Sequence, residues 1–434
     1  MFENCEDMRD MPVILRREAF GGIIFDPVSA TQIELDKEAY DFAVPYLWGE
    51  ARPLNLRQYR LAKSLGRLID IRKKRKVAER DFCKEGFPGY GFPVFSSPTL
   101  ADFQITSACD QMCPHCYASS TQDGMHVGLS DIELVLNELS QAGVCQLAVG
   151  GGEPLSHPDI HEILRLSREK GIISNLTTNS SLLSEDMIPM LRNYCGAVGL
   201  SMEGVGRRFE ERRRLGFERF RHCALRLIEA GIPLVIQVTL SRENFDELSE
   251  IVRFCQSLRG LYGVIFLAYK AVGRGKSFNS PLSVLLPSSV YISLRDAFVT
   301  LSRQTRVGYD CCLTPGIVGI DEEFEFGDQD LLEGCSALRG SIGISTGLDV
   351  IPCTFLPRQK LGNLREEGLS AIWNGSLAQS FRKKMDKRRG ENQICSGCRQ
   401  FAGCLGGCPE MDLVNCHRNY LSLPRSPEAH PCQS

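Results

Sequence analysis

Apolar and polar positions follow two alternating periods along residues 99–305. Six short runs rich in aliphatic residues are separated by segments that repeat apolar residues at helical spacing. Strands that alternate with helices predict a parallel sheet, because parallel strands need long crossover connections. A capping box of Ser130 and Glu133 is expected to open the first of these helices. The predicted strands are 102–106, 145–150, 172–177, 197–201, 234–239 and 264–267.

The first 90 residues predict a separate unit of three strands followed by helices. Short β-prone runs at 13–17, 22–26 and 31–35 are divided by turn signals, and Asp36 is expected to cap a helix through Trp48. This pattern resembles the winged-helix domain with which modifying enzymes hold precursor peptides, since an edge strand can pair with an extended peptide. A structural cap on the next domain is the competing interpretation. Segment 86–98, rich in Gly, Pro and Ser, is expected to be a linker.

Composition limits the classes of protein that fit. The chain has 434 residues with 50 basic and 53 acidic side chains, so it has no bulk charge to attract nucleic acid. No apolar run is long enough to span a membrane, and the acidic N-terminus does not read as a signal peptide. We therefore expect a cytoplasmic protein with no nucleic-acid or membrane partner. Nineteen cysteines in a reducing compartment favour metal binding or catalysis over disulfides.

Three cysteines with the spacing C-x3-C-x2-C directly follow the first predicted strand of the parallel sheet. Cys109, Cys113 and Cys116 lie in one short loop. Thiolates are the usual ligands of iron–sulfur clusters, and three of them leave the fourth iron of a cubane open to another ligand. A zinc knuckle is the alternative, but zinc usually takes four ligands in paired C-x2-C units. By contrast, Cys145, Cys195, Cys223 and Cys255 stand alone in apolar segments and are expected to be core residues.

The cysteine loop resembles that of the radical S-adenosylmethionine (SAM) superfamily. The resemblance implies an open (β/α)6 barrel, a partial TIM-like fold, over residues 99–305. It also implies a 4Fe–4S cluster on which SAM is cleaved to a 5′-deoxyadenosyl radical. Gly150-Gly151-Gly152-Glu153 after the second strand resembles the family's Gly-Gly-Glu motif, in which Glu153 would meet the amino group of SAM. His115 would lie against the adenine. Further cofactor contacts carried over are Gly151, Gly152, Asn179, Ser201 and Glu203.

The cysteine-rich segment 306–434 resembles the SPASM domain of radical SAM peptide maturases, including those for pyrroloquinoline quinone and mycofactocin. The resemblance implies two auxiliary 4Fe–4S clusters, and a zinc ribbon is the alternative. The first set would be Cys335, Cys353 and Cys408 with either Cys312 or Cys311. The second would be Cys395, Cys398, Cys404 and Cys432, with Cys416 as the rival for the last place.

The resemblance implies an enzyme that modifies a ribosomally made precursor peptide. The N-terminal unit would bind its leader, and a flavodoxin or ferredoxin would supply electrons. In sulfatase-maturing relatives a carboxylate directly follows the cysteine equivalent to Cys353, whereas this chain has Thr354. The sequence therefore assigns no general base and does not choose between a crosslink, a decarboxylation and a backbone rearrangement. A radical SAM enzyme acting on a small molecule and a non-enzymatic metal scaffold are the rival interpretations.

Overall fold

The N-terminal unit is a four-stranded sheet carrying two helices. The computed structural model describes residues 12–27, 31–68, 77–81, 90–282, 287–320, 331–332, 334–391, 393–398 and 401–408. The strand order is β3-β2-β1-β4; β1 to β3 pair antiparallel, while β4 lies parallel to β1. Asp36 accepts a hydrogen bond from the amide of Ala39 at 2.9 Å, which confirms the predicted N-cap. The elements are β1 Val13–Glu18, β2 Gly21–Asp26, β3 Thr31–Asp36, α1 Lys37–Leu47, α2 Leu56–Leu68 and β4 Val77–Asp81.

The central unit contains all six predicted strands, each paired in parallel with its neighbour. The first helix begins after Gly128 with no side-chain cap, so the Ser130/Glu133 capping box is wrong. The strands are β5 Leu100–Thr106, β6 Gln146–Gly151, β7 Ile173–Thr178, β8 Cys195–Met202, β9 Leu234–Leu240 and β10 Gly263–Ala268. The helices are α3 Leu129–Gln141, α4 Ile160–Glu169, α5 Ile188–Tyr194, α6 Arg207–Arg212, α7 Phe217–Glu229, α8 Leu248–Ser257, α9 Gly275–Phe278 and α10 Pro287–Leu301.

The C-terminal segment extends the same sheet at both edges. Strand β11 continues in parallel from β10, and β13 pairs in parallel with β5. The described sheet therefore has eleven strands, in the order β12-β11-β10-β9-β8-β7-β6-β5-β13-β14-β15. The elements are β11 Arg306–Tyr309, α11 Thr314–Ile320, β12 Leu331–Leu332, β13 Ser341–Ile344, β14 Asp349–Ile351, β15 Gly362–Asn363, α12 Leu369–Asn374, α13 Ser376–Glu391, α14 Gln393–Ser396 and α15 Phe401–Cys404.

The N-terminal sheet packs against the amino ends of the barrel strands. Ile14 and Phe25 share a small apolar cluster with Cys145 and Ile173, which lie at the beginnings of β6 and β7. The buried Arg16 donates to the carbonyl oxygens of residues 98 and 143 at 3.1 and 3.3 Å, and pairs with the buried carboxylate of residue 18 at 2.7 Å. The sheet thus covers the end of the barrel opposite to the carboxyl ends of the strands.

Residues 90–98 are not the exposed linker that their composition predicts. Phe92, Val94 and Phe95 are buried, and the indole nitrogen of Trp373 donates to the carbonyl of Phe95 at 3.1 Å. The segment is packed between the barrel and helix α12 because its aromatic residues outweigh the turn-forming residues around them. The four isolated cysteines are buried in the core, which confirms that prediction. Within the described ranges, no helix combines the length and apolar composition that crossing a bilayer requires.

Candidate active site

The carboxyl ends of β5 to β10 surround a cavity of about 320 Å³. Polar side chains reach it because inward and outward positions alternate along each strand. On β5, for example, Ala101, Phe103 and Ile105 are buried in the core, and Asp102 lies on the opposite face and lines the cavity. The predicted site residues in the lining are Cys109, Cys113, His115, Cys116, Gly151, Gly152, Asn179, Ser201 and Glu203.

Hydrogen bonds to the backbone hold the cysteine loop in place, some from within the loop and others from the segment after β10. The amide of Cys109 donates to the carbonyl of Thr121 at 2.8 Å, within the loop itself. From the loop after β10, the Arg274 side chain donates to the carbonyl of Cys113 at 2.9 Å, and the Gly275 amide to that of Cys116 at 3.2 Å. The three thiols therefore face one cavity from a braced loop.

The chemistry of these thiols fits an iron–sulfur cluster. Burial raises the pKa of Cys109 to about 11 and also raises the pKa of Cys113, so a thiolate here needs a cation to stabilise it. These three thiols, all within the described ranges, do not come close enough to share one metal ion. In a four-iron cluster each thiolate binds a different iron, so this wider spacing is compatible with the predicted cluster.

The Gly-Gly-Glu segment supports the cysteine loop. The amide of Gly152 donates to Thr106 at 2.7 Å, and that of Glu153 donates to Ala108 at 2.8 Å. A Cβ atom on Gly151 would lie 2.2 Å from the Thr106 carbonyl oxygen, and φ at this glycine is +113°. The glycines are therefore required by the close approach of two backbone segments.

The Glu153 carboxylate is fully buried and is not part of the described cavity lining. It accepts from the hydroxyl of Thr178 at 2.6 Å and from the amides of Asn179 and Leu155 at 2.8 and 3.1 Å. Burial raises its pKa to about 7 in spite of these donors. Its direct contact with the SAM amino group stays a prediction; in the structure Glu153 positions the loop after β7.

Asn179 lies next to the cysteine loop. Its amide nitrogen donates to Asp110 at 3.0 Å and is 3.7 Å from the sulfur of Cys109. Ser201, at the end of the neighbouring strand β8, also lines the cavity, as does Gln237 on β9. The roles of Asn179 and Ser201 toward SAM stay predictions.

Glu203 belongs to a buried charge network. Its carboxylate accepts from Nε of Arg213 at 2.6 Å and also from a terminal nitrogen of that guanidinium at 2.5 Å, and it lies 3.2 Å from Nε2 of His115. Burial opposes ionisation of Glu203, but Arg213 and His115 outweigh it and hold its pKa far below the usual range. His115 also meets the ring of Phe278 edge-on, with centroids 6.2 Å apart.

Replacing Arg213 by Met is expected to lower the free energy of unfolding by about 3–5 kcal/mol, because it leaves the Glu203 carboxylate buried without its main partner. The double variant Glu203→Met/Arg213→Met removes both charges and should recover most of this loss. Urea unfolding of the metal-free proteins measures both effects. Equal stability of wild type and Arg213→Met would contradict the assigned pairing.

Five C-terminal cysteines are gathered beside the cavity. The thiols of Cys312, Cys335 and Cys408 lie within hydrogen-bonding reach of Cys311, and these contacts with burial raise the pKa of Cys311 well above its ordinary value. Cys353 is also close, and burial raises its pKa to about 12. Both Cys311 and Cys312 belong to the group, so the choice between them as the fourth ligand stays open.

Lys270 lines the cavity and interacts electrostatically with Cys311 and Cys312 of this cysteine group. Its ammonium forms a buried ion pair with Asp310 and lies 4.3 Å from the ring centroid of Phe355. Among the cysteines predicted for the second auxiliary cluster, Cys395, Cys398 and Cys404 are half-buried around helices α14 and α15. Cys432 and Cys416 lie outside the described residues, so that ligand set stays a prediction.

Asp102 is one of several cavity residues, with Tyr117, Arg213 and Phe355, that the sequence analysis does not single out. A sequence signal for Asp102 exists, because Asp102, Gln104 and Thr106 place polar residues at every second position of an otherwise apolar strand. Alternation of this kind in a buried barrel strand indicates a polar interior.

Comparison with known families identifies both metal-binding regions. The radical SAM superfamily matches residues 103–255, and the SPASM iron–sulfur cluster-binding domain matches residues 335–399. The chain is a radical SAM enzyme with an SPASM domain. Its cofactors are iron–sulfur clusters and SAM. The family, the fold class and the cofactor class predicted from the sequence are therefore confirmed, while the domain boundaries and the individual ligands stay predictions.

Three similar proteins illustrate the range of the family. The AdoMet-dependent heme synthase of Methanosarcina barkeri is 26% identical over 71% of this chain and 91% of its own length. The PqqA peptide cyclase of Rhizobium meliloti is 24% identical over 73% of this chain and 83% of its own. The crystal structure of Streptococcus suis SuiB bound to its precursor peptide SuiA has a TM-score of 0.63 at 20% identity. The match covers 91% of this chain and 94% of the SuiB chain.

Proposed function

We propose that this radical SAM enzyme modifies a ribosomally made precursor peptide. The observation that carries the proposal is the N-terminal sheet. It has an edge strand, β3, and it packs against the amino ends of the barrel strands. The fold shared with SuiB, which was crystallised with its precursor peptide, covers 91% of the chain and so extends into this sheet. The similarity to the PqqA peptide cyclase supports the same conclusion.

Bound to a cluster, SAM supplies one-electron chemistry that abstracts a hydrogen atom from the substrate. The protein's own residues supply the positioning. Arg274 and Gly275 brace the cysteine loop, and the Gly-Gly-Glu segment braces it from the other side. The rings of Tyr117 and Phe355, with centroids 4.5 Å apart, line the cavity toward the auxiliary cysteines. A substrate held there would lie between the two predicted cluster sites, and an auxiliary cluster held by the C-terminal cysteines would supply an electron acceptor.

A small-molecule substrate is the second candidate, and the similarity to a heme synthase favours it. Co-production of the enzyme with each short open reading frame next to its gene separates the two. Mass spectrometry should find one peptide whose mass changes with wild type but not with Cys116→Ala. If no neighbouring peptide changes mass while the wild type still cleaves SAM, the peptide proposal is wrong. The electron donor, proposed to be a flavodoxin or ferredoxin, is tested separately with the purified enzyme, where it should replace a chemical reductant such as dithionite in supporting 5′-deoxyadenosine formation.

We further propose that the leader of the peptide adds to the sheet along β3. Strand β3 ends the described four-strand order, and the side chains of its Thr31, Gln32 and Ile33 are half-buried. An extended peptide gains affinity from main-chain hydrogen bonds at such an edge. Removing residues 1–90 is a poor test, because it would expose the barrel surface that Ile14 and Phe25 cover.

Two proline variants of β3 test the leader site without deleting the sheet. Successive amides of a strand point in opposite directions, so Gln32→Pro and Ile33→Pro remove one donor to β2 and one donor at the free edge. The variant that loses the donor at the edge should keep the melting temperature of wild type and bind the precursor at least about tenfold more weakly. Its SAM cleavage without peptide should be unchanged. Fluorescence anisotropy with labelled precursor measures the affinity. Unchanged affinity in both folded variants would move leader recognition elsewhere.

A further inference from the structure

The cavity lining holds two carboxylates among the described residues, and their surroundings differ. Glu203 is fixed by the guanidinium of Arg213 and stays ionised. Asp102, on β5, accepts one hydrogen bond, from the hydroxyl of Thr354 at 2.8 Å, and has no Lys, Arg or His ion pair within the described ranges. Asp102 is therefore the carboxylate that can take up a proton without breaking an ion pair.

The space in front of Asp102 is open to a substrate. A Cβ atom on Gly150 would lie 3.9 Å from Oδ1 of Asp102, so the glycine leaves this oxygen uncovered from that side. The other oxygen, Oδ2, is the one that Thr354 holds. Thr354 thus positions one oxygen of a side chain that lines the cavity, and Oδ1 accepts no hydrogen bond from the described residues.

The charged and titratable groups around Asp102 are accounted for. Tyr117 adjoins it, and burial together with the Asp102 charge raises the pKa of that phenol, which stays protonated. Lys270 lines the same cavity, but its ammonium is paired with Asp310. Cys353 is the nearby thiol on the side of the auxiliary cysteines. Enclosure by these groups and the barrel raises the pKa of Asp102 to about 6, close to the value that suits a general base near neutral pH.

We propose that Asp102 is a catalytic residue that accepts the proton lost by the substrate during the peptide modification proposed above. A substrate that forms a new bond or double bond loses two hydrogens. The first leaves as a hydrogen atom to the SAM-derived radical. The second leaves as a proton that forms an O–H bond on Oδ1 of Asp102, and the remaining electron passes to an oxidised iron–sulfur cluster. The bond that loses the proton leaves two electrons on the substrate. One of them enters the new substrate bond, and the other is the electron that the cluster accepts.

Relocating the carboxylate tests this role. The variants are Asp102→Asn, Thr354→Val and Asp102→Asn/Thr354→Asp, each reconstituted and supplied with the peptide that wild type modifies. We expect Asp102→Asn to keep its iron content and 5′-deoxyadenosine formation while modified peptide per 5′-deoxyadenosine falls about 100-fold or more. The double variant, with the carboxylate moved to the neighbouring position, should recover at least about a tenth of the wild-type ratio. Thr354→Val keeps the base and should stay within a few-fold of wild type.

A merely structural Asp102–Thr354 contact gives a different pattern: Thr354→Val then matches Asp102→Asn, and the double variant recovers nothing. Either that pattern or an unchanged ratio in Asp102→Asn overturns the proposal. If wild type modifies no peptide, the proposed function fails separately, and a measurement without substrate decides on Asp102. In the infrared difference between wild type and Asp102→Asn, a carboxyl band titrating near pH 6 is expected, and one titrating near the ordinary value of about 3.9 overturns the proposal.

Discussion

Replacement of Cys109, Cys113 and Cys116 by Ala is expected to abolish SAM cleavage entirely. If the chain holds three cubanes, the variant should also lose about four of about twelve irons. The reason is that these three thiols face one cavity from a loop braced by Arg274 and Gly275. Iron, sulfide and 5′-deoxyadenosine are measured after anaerobic reconstitution.

The chain offers a matched control for this variant. Cys195, Cys223 and Cys255 are buried in the core away from the cavity lining, so their triple replacement by Ala should leave iron content and SAM cleavage unchanged. A wild-type protein that holds zinc without sulfide would refute the cluster assignment. So would a Cys109/Cys113/Cys116 variant with its full complement of iron.

Loss of the first auxiliary cluster is expected to stop product formation while SAM cleavage continues. Cys408 contacts Cys311 and Cys312, and Cys353 precedes the Thr354 that contacts Asp102 in the cavity wall. An electron leaving a substrate in the cavity has this group as a nearby acceptor. Cys353→Ala and Cys408→Ala should therefore form 5′-deoxyadenosine but at least about 100-fold less modified peptide, measured by mass spectrometry.

The competing explanation is that the cluster only stabilises the C-terminal region, because metal binding can supply folding energy. Circular dichroism and iron content separate a folded, inactive variant from an unfolded one. Cys145→Ala serves as the control, since that thiol is buried at the amino end of the barrel. Full product from a folded variant that lacks the cluster would refute the electron-acceptor role.

Much of the barrel could be predicted from the sequence because its strands are short apolar runs between strongly periodic helices. All six predicted strands occur, with ends that differ by at most two residues. Polar residues at the ends of those strands or directly after them, such as Ser201 and Asn179, do line one cavity. Local period and chain order carry this information, since parallel strands bring all their carboxyl ends to one side.

Features that depend on distant contacts could not be predicted in this way. Strand β13 pairs with β5 although more than 200 residues separate them. Because β13 has only four residues, its apolar pattern is too short to identify a distant partner. Segment 90–98 resembles a linker in composition, yet it is buried through contacts with Trp373. The backbone requirement for the glycines is likewise visible only in the folded register, since Gly151 and Gly152 lie against the backbones of Thr106 and Ala108.

The position of the N-terminal sheet sets a minimum length for any peptide substrate. The sheet meets the amino ends of β6 and β7, while the cavity lies at their carboxyl ends. A strand of six residues, such as β6, spans about 20 Å. A peptide held on β3 with its reacting residue in the cavity must bridge at least that distance, which takes about six extended residues. Short reading frames whose modifiable residues lie closer to the leader segment can therefore be set aside in a genome search.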